Sequence, residues 1–209
     1  MFSLTDSRRK FKWNGYPLEL IDSFDNVLLF LELLDDDDYT GEQKMLIGCE
    51  MIVEDEEFVN SLPHAEQAQL TVEAFQFMTG IDLMDETEEA YVEPSMDFLE
   101  DAERIYSSFL EQYRIDLIDQ QGVMSWAKFS ALLKNVGSET ALGQAIHHRT
   151  CEIPKKDKHN GEEVSRIRKL KREYELKGEK HVRRRAEEAH KRAMAYAQAI
   201  INKQKIEVK

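Results

Sequence analysis

The chain has 209 residues, 42% of them hydrophobic and 33% charged, with a net charge of −13 and two cysteines. Such a length and balance allow one full core with an appendage, or two small domains. No run of about eighteen apolar residues exists, which argues against a membrane span, and two cysteines argue against a disulfide scaffold.

Cys49 and Cys151 suit a reducing interior, although counting alone leaves a single bridge between them open. The opening MFSLTDSRRKFKW has no apolar segment after its basic cluster, which argues against a secretory signal. Charge is split along the chain. Residues 1–150 hold 10 Lys+Arg and 31 Asp+Glu, a net −21, while residues 151–209 hold 18 and 10, a net +8. A basic tail on an acidic body points to contact with something acidic, either this chain's own body or a neighbouring copy.

Residues 1–20 are basic, aromatic and broken by Gly15 and Pro17. Trp13, Tyr16 and Leu18 fit a short hairpin or an extended arm, and the arm is preferred. From Ser23 the pattern turns helical, with Phe24, Val27, Leu28, Leu31 and Leu34 on one face. Asp35–Asp38 oppose the macrodipole at its C-terminus, so the helix is expected to stop before most of them. Thr40 followed by Glu42 and Gln43 starts a second helix carrying Met45, Leu46, Cys49 and Ile52. Pro63 introduces a third, His64 to Thr79, which Gly80 ends. A flexible acidic loop is expected near residues 82–94.

The densest patterning lies between Asp101 and Val136. Phe98, Ala102, Ile105 and Phe109 recur at helical spacing, Gly122 closes a short connection, and Ser125 opens a helix bearing Trp126, Phe129, Leu132 and Leu133. Ser138 is read as the cap of a short helix through Ala145 and His147, and Ile153-Pro154 ends the body. Beyond a polar link, Glu162 to Lys205 reads as a charged helix of roughly 66 Å if continuous. Gly178 is its candidate interruption, and Val182, Ala186, Ala189, Ala193, Ala197 and Ile200 make a thin stripe that needs a partner.

The expected fold is all-α, a compact multi-helix body followed by a long basic C-terminal helix. Its divisions are an arm over 1–20, an acidic body over 21–154 and a basic extension over 155–209.

Motifs for chemistry are weak. His147, His148, Cys151 and His159 lack the second ligand pair that a structural zinc site needs. Counted from Asp35, an EF-hand loop would place Thr40 at its glycine and Leu46 at its glutamate, so it fails. No phosphate loop, nucleophile elbow or HExxH is present, and neither catalysis nor a metal or cofactor is expected. The cations Arg166, Arg168, Lys169, Lys171 and Arg172, with Arg183, Arg184 and Arg185, are the strongest binding signal. Clustered cations can track phosphates, or can pair with the interspersed Glu162, Glu163, Glu173, Glu175, Glu187 and Glu188. Protein docking is preferred to nucleic acid, because the acidic body would repel a polyanion.

The run DAERIYSSF, then Tyr113, IDLI, Gly122, Trp126, FSALL, Thr140, Ile146, Arg149 and Ile153-Pro154 resembles the bacteriophage family named after the fifteenth gene product of a long-tailed phage of Gram-positive bacteria. FDNVLLFLELLDDDD resembles that family's first helix. Two departures stand out: Arg114 replaces a glycine, and Ser125-Trp126-Ala127 replaces His-Trp-Trp. The resemblance implies a tail assembly chaperone that coats the tape-measure protein, recruits tail-tube subunits and works in the cytoplasm of the bacterial host. The alternatives are a permanent minor protein of the virion tail and, less favoured, a nucleic-acid-binding regulator acting through the basic helix. Tyr113, Trp126, Phe129 and the eight cations are the candidate partner-binding residues, with self-association among the expected contacts and no membrane contact.

Overall fold

A computed structural model describes residues 10–84 and 93–186. Most of the expected acidic loop near 82–94, and the apolar stripe from Ala189 to Ile200, lie outside those residues. The chain divides into two compact units: residues 1–88 with 106–137, and residues 89–105 with 138–209. Both are mostly helical, and among the described residues no helix is long and apolar enough to cross a membrane.

The first unit begins with a hairpin where an extended arm was preferred. Strand β1 (Phe11–Trp13) pairs antiparallel with β2 (Tyr16–Leu18), with Phe11 opposite Leu18 and Trp13 opposite Tyr16. The reason is the two-residue turn Asn14-Gly15, both at positive φ (49° and 84°). That geometry matches the strand twist and favours Asn-Gly. Phe11, Trp13 and Leu18 are buried, Phe11 against Phe77 at 5.2 Å, and Tyr16 stacks on Phe58 at 4.7 Å.

Four helices follow: α1 (Phe24–Asp35), α2 (Gly41–Ile52), α3 (Glu56–Ser61) and α4 (His64–Thr79). Their ends have local causes. Thr40 and Gln43 form a reciprocal capping box on α2, and Asp55 accepts from the Phe58 amide to start α3. Gly80, at φ 77°, closes α4 in the left-handed region. Helix α2 packs on α1 and α4. A methyl group on Gly48 would meet the Phe30 ring at 2.3 Å, so this glycine sets how closely α1 and α2 approach.

Helix α5 (Ala102–Tyr113) contributes its residues from 106 onward to this unit, followed by α6 (Trp126–Leu133). The backbone ties this return to α1: Phe24 donates to Met124 at 2.9 Å, and Trp126 donates to Asp22 at 2.6 Å. Phe129 is fully buried, stacked on Phe24 at 4.8 Å and on Phe109 at 5.3 Å, while Phe30 meets Phe75 edge-on. This aromatic spine is the centre of the unit, each buried Phe contributing about 1.5–3 kcal/mol of transfer free energy.

The second unit contains residues 93–105, α7 (Ala141–Thr150), α8 (Gly161–Tyr174) and a helical segment over 179–186. Helix α7 starts two residues later than the expected Ser138 cap, because the Thr140 hydroxyl takes the Gly143 amide. Helix α8 packs on α7 and buries Val164. The basic segment is not one continuous helix: α8 ends at Tyr174 and helix resumes at 179. Its break has a clear cause, since Lys177 and Gly178 give their amides to the Glu100 carboxylate at 2.6 Å each. Cys49 and Cys151 are free thiols.

Candidate functional site

The second unit is organised around a buried carboxylate. Asp101 is fully buried and takes the Arg149 guanidinium in a two-point grip, Oδ2 to Nη1 at 2.6 Å and Oδ1 to Nη2 at 2.8 Å. Arg104 adds a third contact at 2.8 Å, and the Asp97 amide donates a fourth at 3.1 Å. Arg149 also donates to the carbonyls of Tyr174 at 2.6 Å and Ser95 at 3.0 Å. One planar fork therefore joins the 95–101 segment, α7 and the end of α8. Burial opposes ionisation of Asp101, but Arg149, the Asp97 amide and Arg104 outweigh it and hold its carboxyl below the usual range.

A second knot lies beside it. Asp97 Oδ2 is 2.8 Å from Lys180 Nζ and 3.0 Å from His181 Nε2, while Oδ1 accepts the Leu99 and Glu100 amides. Burial again opposes the charge, yet Lys180, the Glu100 amide and His181 hold the Asp97 carboxyl well below the usual carboxylate range. Asp97, Glu100 and His181 present ligand atoms within 4.8 Å of one another. Each carboxylate already has protein donors: Lys180 shares the Asp97 oxygen that faces His181, and both Glu100 oxygens accept backbone amides. The set is thus a latch that fixes the 177–181 turn, with the Lys180 ammonium on the Asp97 carboxylate.

Next to the Arg149 fork is a cleft of about 340 Å³ lined by Pro94, Ser95, Arg149, Lys171, Arg172 and Leu176. Lys171 donates to the Arg149 carbonyl, and Arg185 bridges Glu93 and Glu175 while donating to the Leu176 carbonyl. Lys171 and Arg185 are thus committed to this unit's own structure. By contrast, Arg166, Arg168, Lys169 and Arg172 are exposed on α8, and among the described residues none is in an ion pair. Arg172 only touches the Arg168 carbonyl one turn back. Among the described residues, the alternative of intrahelical pairing with Glu162, Glu163 and Glu173 does not form, and Glu175 turns to Arg185; Glu187 and Glu188 lie outside the described residues. Arg183 and Arg184 are exposed on the 179–186 segment.

The aromatic candidates lie in the first unit. Phe129 is fully buried and Trp126 nearly so, so both are core. Tyr113 is half-buried, edge-on to Phe109, with its hydroxyl on the Leu132 carbonyl at 2.9 Å. Periodicity finds apolar stripes without saying which members stay exposed. It also passes over Asp101 and Arg149, which are 48 residues apart and meet only through topology.

No curated protein and no solved structure matches the chain. The family model described as Bacteriophage Gp15 protein matches residues 4–176, which takes in Asp97, Glu100, Asp101, Arg149 and all of α8, and leaves out Lys180 and His181. The chain belongs to the bacteriophage Gp15 protein family.

Proposed function

We propose that this phage protein is a non-enzymatic tail assembly chaperone that binds the tape-measure protein and recruits tail-tube subunits. The family is not a known enzyme family, and the buried charges of the second unit form ion pairs with one another. The observation that carries the reading is an exposed apolar surface on an acidic unit. Leu29 on α1 is 55% exposed, and Ile118 and Val123 before α6 are 62% and 74% exposed. The Gly122 amide donates to Asp25 at 2.9 Å, which sets Val123 beside the first turn of α1, one turn from Leu29. Apolar side chains at a water-facing surface suit an apolar partner. The surrounding negative field would keep such a complex soluble.

Co-expression with a fragment of the phage's tape-measure protein tests the reading. The expected result is a soluble complex that co-purifies, weakened by Leu29→Asp with Val123→Asp. A fragment that stays insoluble and never co-purifies would sink it. Mass spectrometry of purified particles separates the permanent tail component, present at fixed copy number, from a chaperone that leaves before maturation.

A further inference from the structure

We infer that the apolar stripe Val182, Ala186, Ala189, Ala193, Ala197 and Ile200 of one copy docks as a helix on the first unit of a second copy, across its exposed Leu29, Ile118 and Val123. The contact uses the surface assigned above to the tape-measure protein, but the inference stands without that partner.

At about 100° per residue, the six stripe residues fall within one arc of roughly 80°. The stripe begins on the helical segment over 179–186, where Val182 is 50% exposed and Ala186 is exposed, so its start is open to water in a single copy. From Val182 to Ile200 it would make about 27 Å of helix. A helix with so thin an apolar face is marginal alone and gains its stability from a partner.

Charge selects that partner. Residues 189–205 hold Lys191, Arg192, Lys203 and Lys205 and no Asp or Glu, a net +4, in a chain of net −13. On the same helical count Arg192 and Lys203 flank one edge of the stripe and Lys205 the other. Two such stripes repel each other, which disfavours pairing stripe to stripe. The first unit is the complement, with 8 Lys+Arg against 24 Asp+Glu, a net −16. Its exposed apolar residues are set among acids: Asp25 lies one turn before Leu29 on α1, Glu32 one turn after it, and Asp119 follows Ile118. Glu32 and Asp119 are exposed, and the half-buried Asp25 accepts the Gly122 amide that places Val123. Among the described residues none of these three acids is in an ion pair. An apolar surface with acidic edges thus meets an apolar stripe with basic edges. An anionic membrane fits less well, because the net −13 opposes it and a stripe made mostly of alanine offers little area to insert.

Such a contact is head-to-tail, so each copy keeps one stripe and one surface for further neighbours. In sedimentation or light scattering, the wild-type mean mass should rise with concentration to roughly twice the 24.4 kDa monomer or more. Ala193→Glu with Ala197→Glu should stay monomeric with unchanged circular dichroism, as should Leu29→Asp with Val123→Asp. Mixing the two variants should give a dimer and nothing larger, because only one intact stripe and one intact surface remain. An excess of synthetic peptide spanning residues 187–209 should return the wild type to monomer mass, and the same peptide with both glutamates should not. This last arm involves no variant protein, so it holds even where a variant fails to fold. A wild type that stays monomeric overturns the inference, as does a surface variant that associates like wild type, which would mean stripe-to-stripe pairing. Failure of the peptide to compete overturns it too, and so does pelleting of the full chain with anionic vesicles that the stripe variant loses. None of these outcomes bears on the chaperone reading, since no tape-measure protein is present.

Discussion

At the scale of single residues, Arg114 carries a backbone cost and Asp101 a buried charge. Arg114 ends α5 in the left-handed region, φ 57°, with its amide on the Leu110 carbonyl. Left-handed backbone costs a side-chain-bearing residue roughly 1–2 kcal/mol. The glycine expected there from the family resemblance now has a reason. Arg114→Gly should therefore stabilise the protein by about 1 kcal/mol, seen as a melting-point rise of about 2–4 °C; an unchanged or lower melting point would refute it. Asp101 is the opposite case. Arg149, whose side chain is only 7% exposed, has Asp101 as its charge partner, and removing one member of a buried pair costs about 3–5 kcal/mol. Asp101→Asn keeps the shape and removes the charge. The second unit should lose stability on that scale in urea, whereas a loss under about 1 kcal/mol would show the pair to be dispensable.

At the scale of elements, legibility followed how local each cause was. Helices α1, α2 and α4 were readable because their signals sit within a few residues: Thr40 and Gln43 at one start, Pro63 at another, Gly80 at a stop. The hairpin was also local, since Asn14-Gly15 between aromatic neighbours is a strong turn signal, but Pro17 speaks against a strand. Pro17 is tolerated because β2 is an edge strand paired only with β1. Helix α3 was missed because six residues rich in acid resemble a solvated loop until Val59 is found buried. The break after α8 was legible at Gly178, but its cause was not, since it depends on Glu100, 77 residues before Lys177. Close helix approach is likewise invisible without coordinates, and Gly48 is its clearest instance. Gly48→Ala would drive a methyl group to 2.3 Å from the buried Phe30 ring, which also meets Phe75 edge-on. Overpacking of this kind costs about 1–3 kcal/mol, despite alanine's better helix propensity. A urea midpoint equal to or above wild type would show that α1 and α2 can separate without cost.

At the scale of the whole molecule, acid should act on the two units with opposite signs. The first unit carries a net −16, so protonation relieves self-repulsion. Asp22 adds to this, because burial raises its carboxyl pKa above the usual value. The cost of its charge is present above that folded value and fades as pH falls through it. In the second unit Asp97 and Asp101 are held below the usual range, each by its paired cations and amides against the opposing effect of burial. Their contribution is complete above the unfolded value of about 3.9 and is lost as pH falls below it toward the folded values. Acid titration should therefore melt the second unit first. Both tryptophans, Trp13 and Trp126, are buried in the first unit, so their emission reports that unit alone. Below about pH 4 the far-UV helical signal should begin to fall while tryptophan emission keeps its native maximum. Asp97→Asn with Asp101→Asn should show that partial loss of helix already at neutral pH. If emission and helicity change together, or emission moves first, the latch around Asp97 and Asp101 is not what holds the second unit at neutral pH.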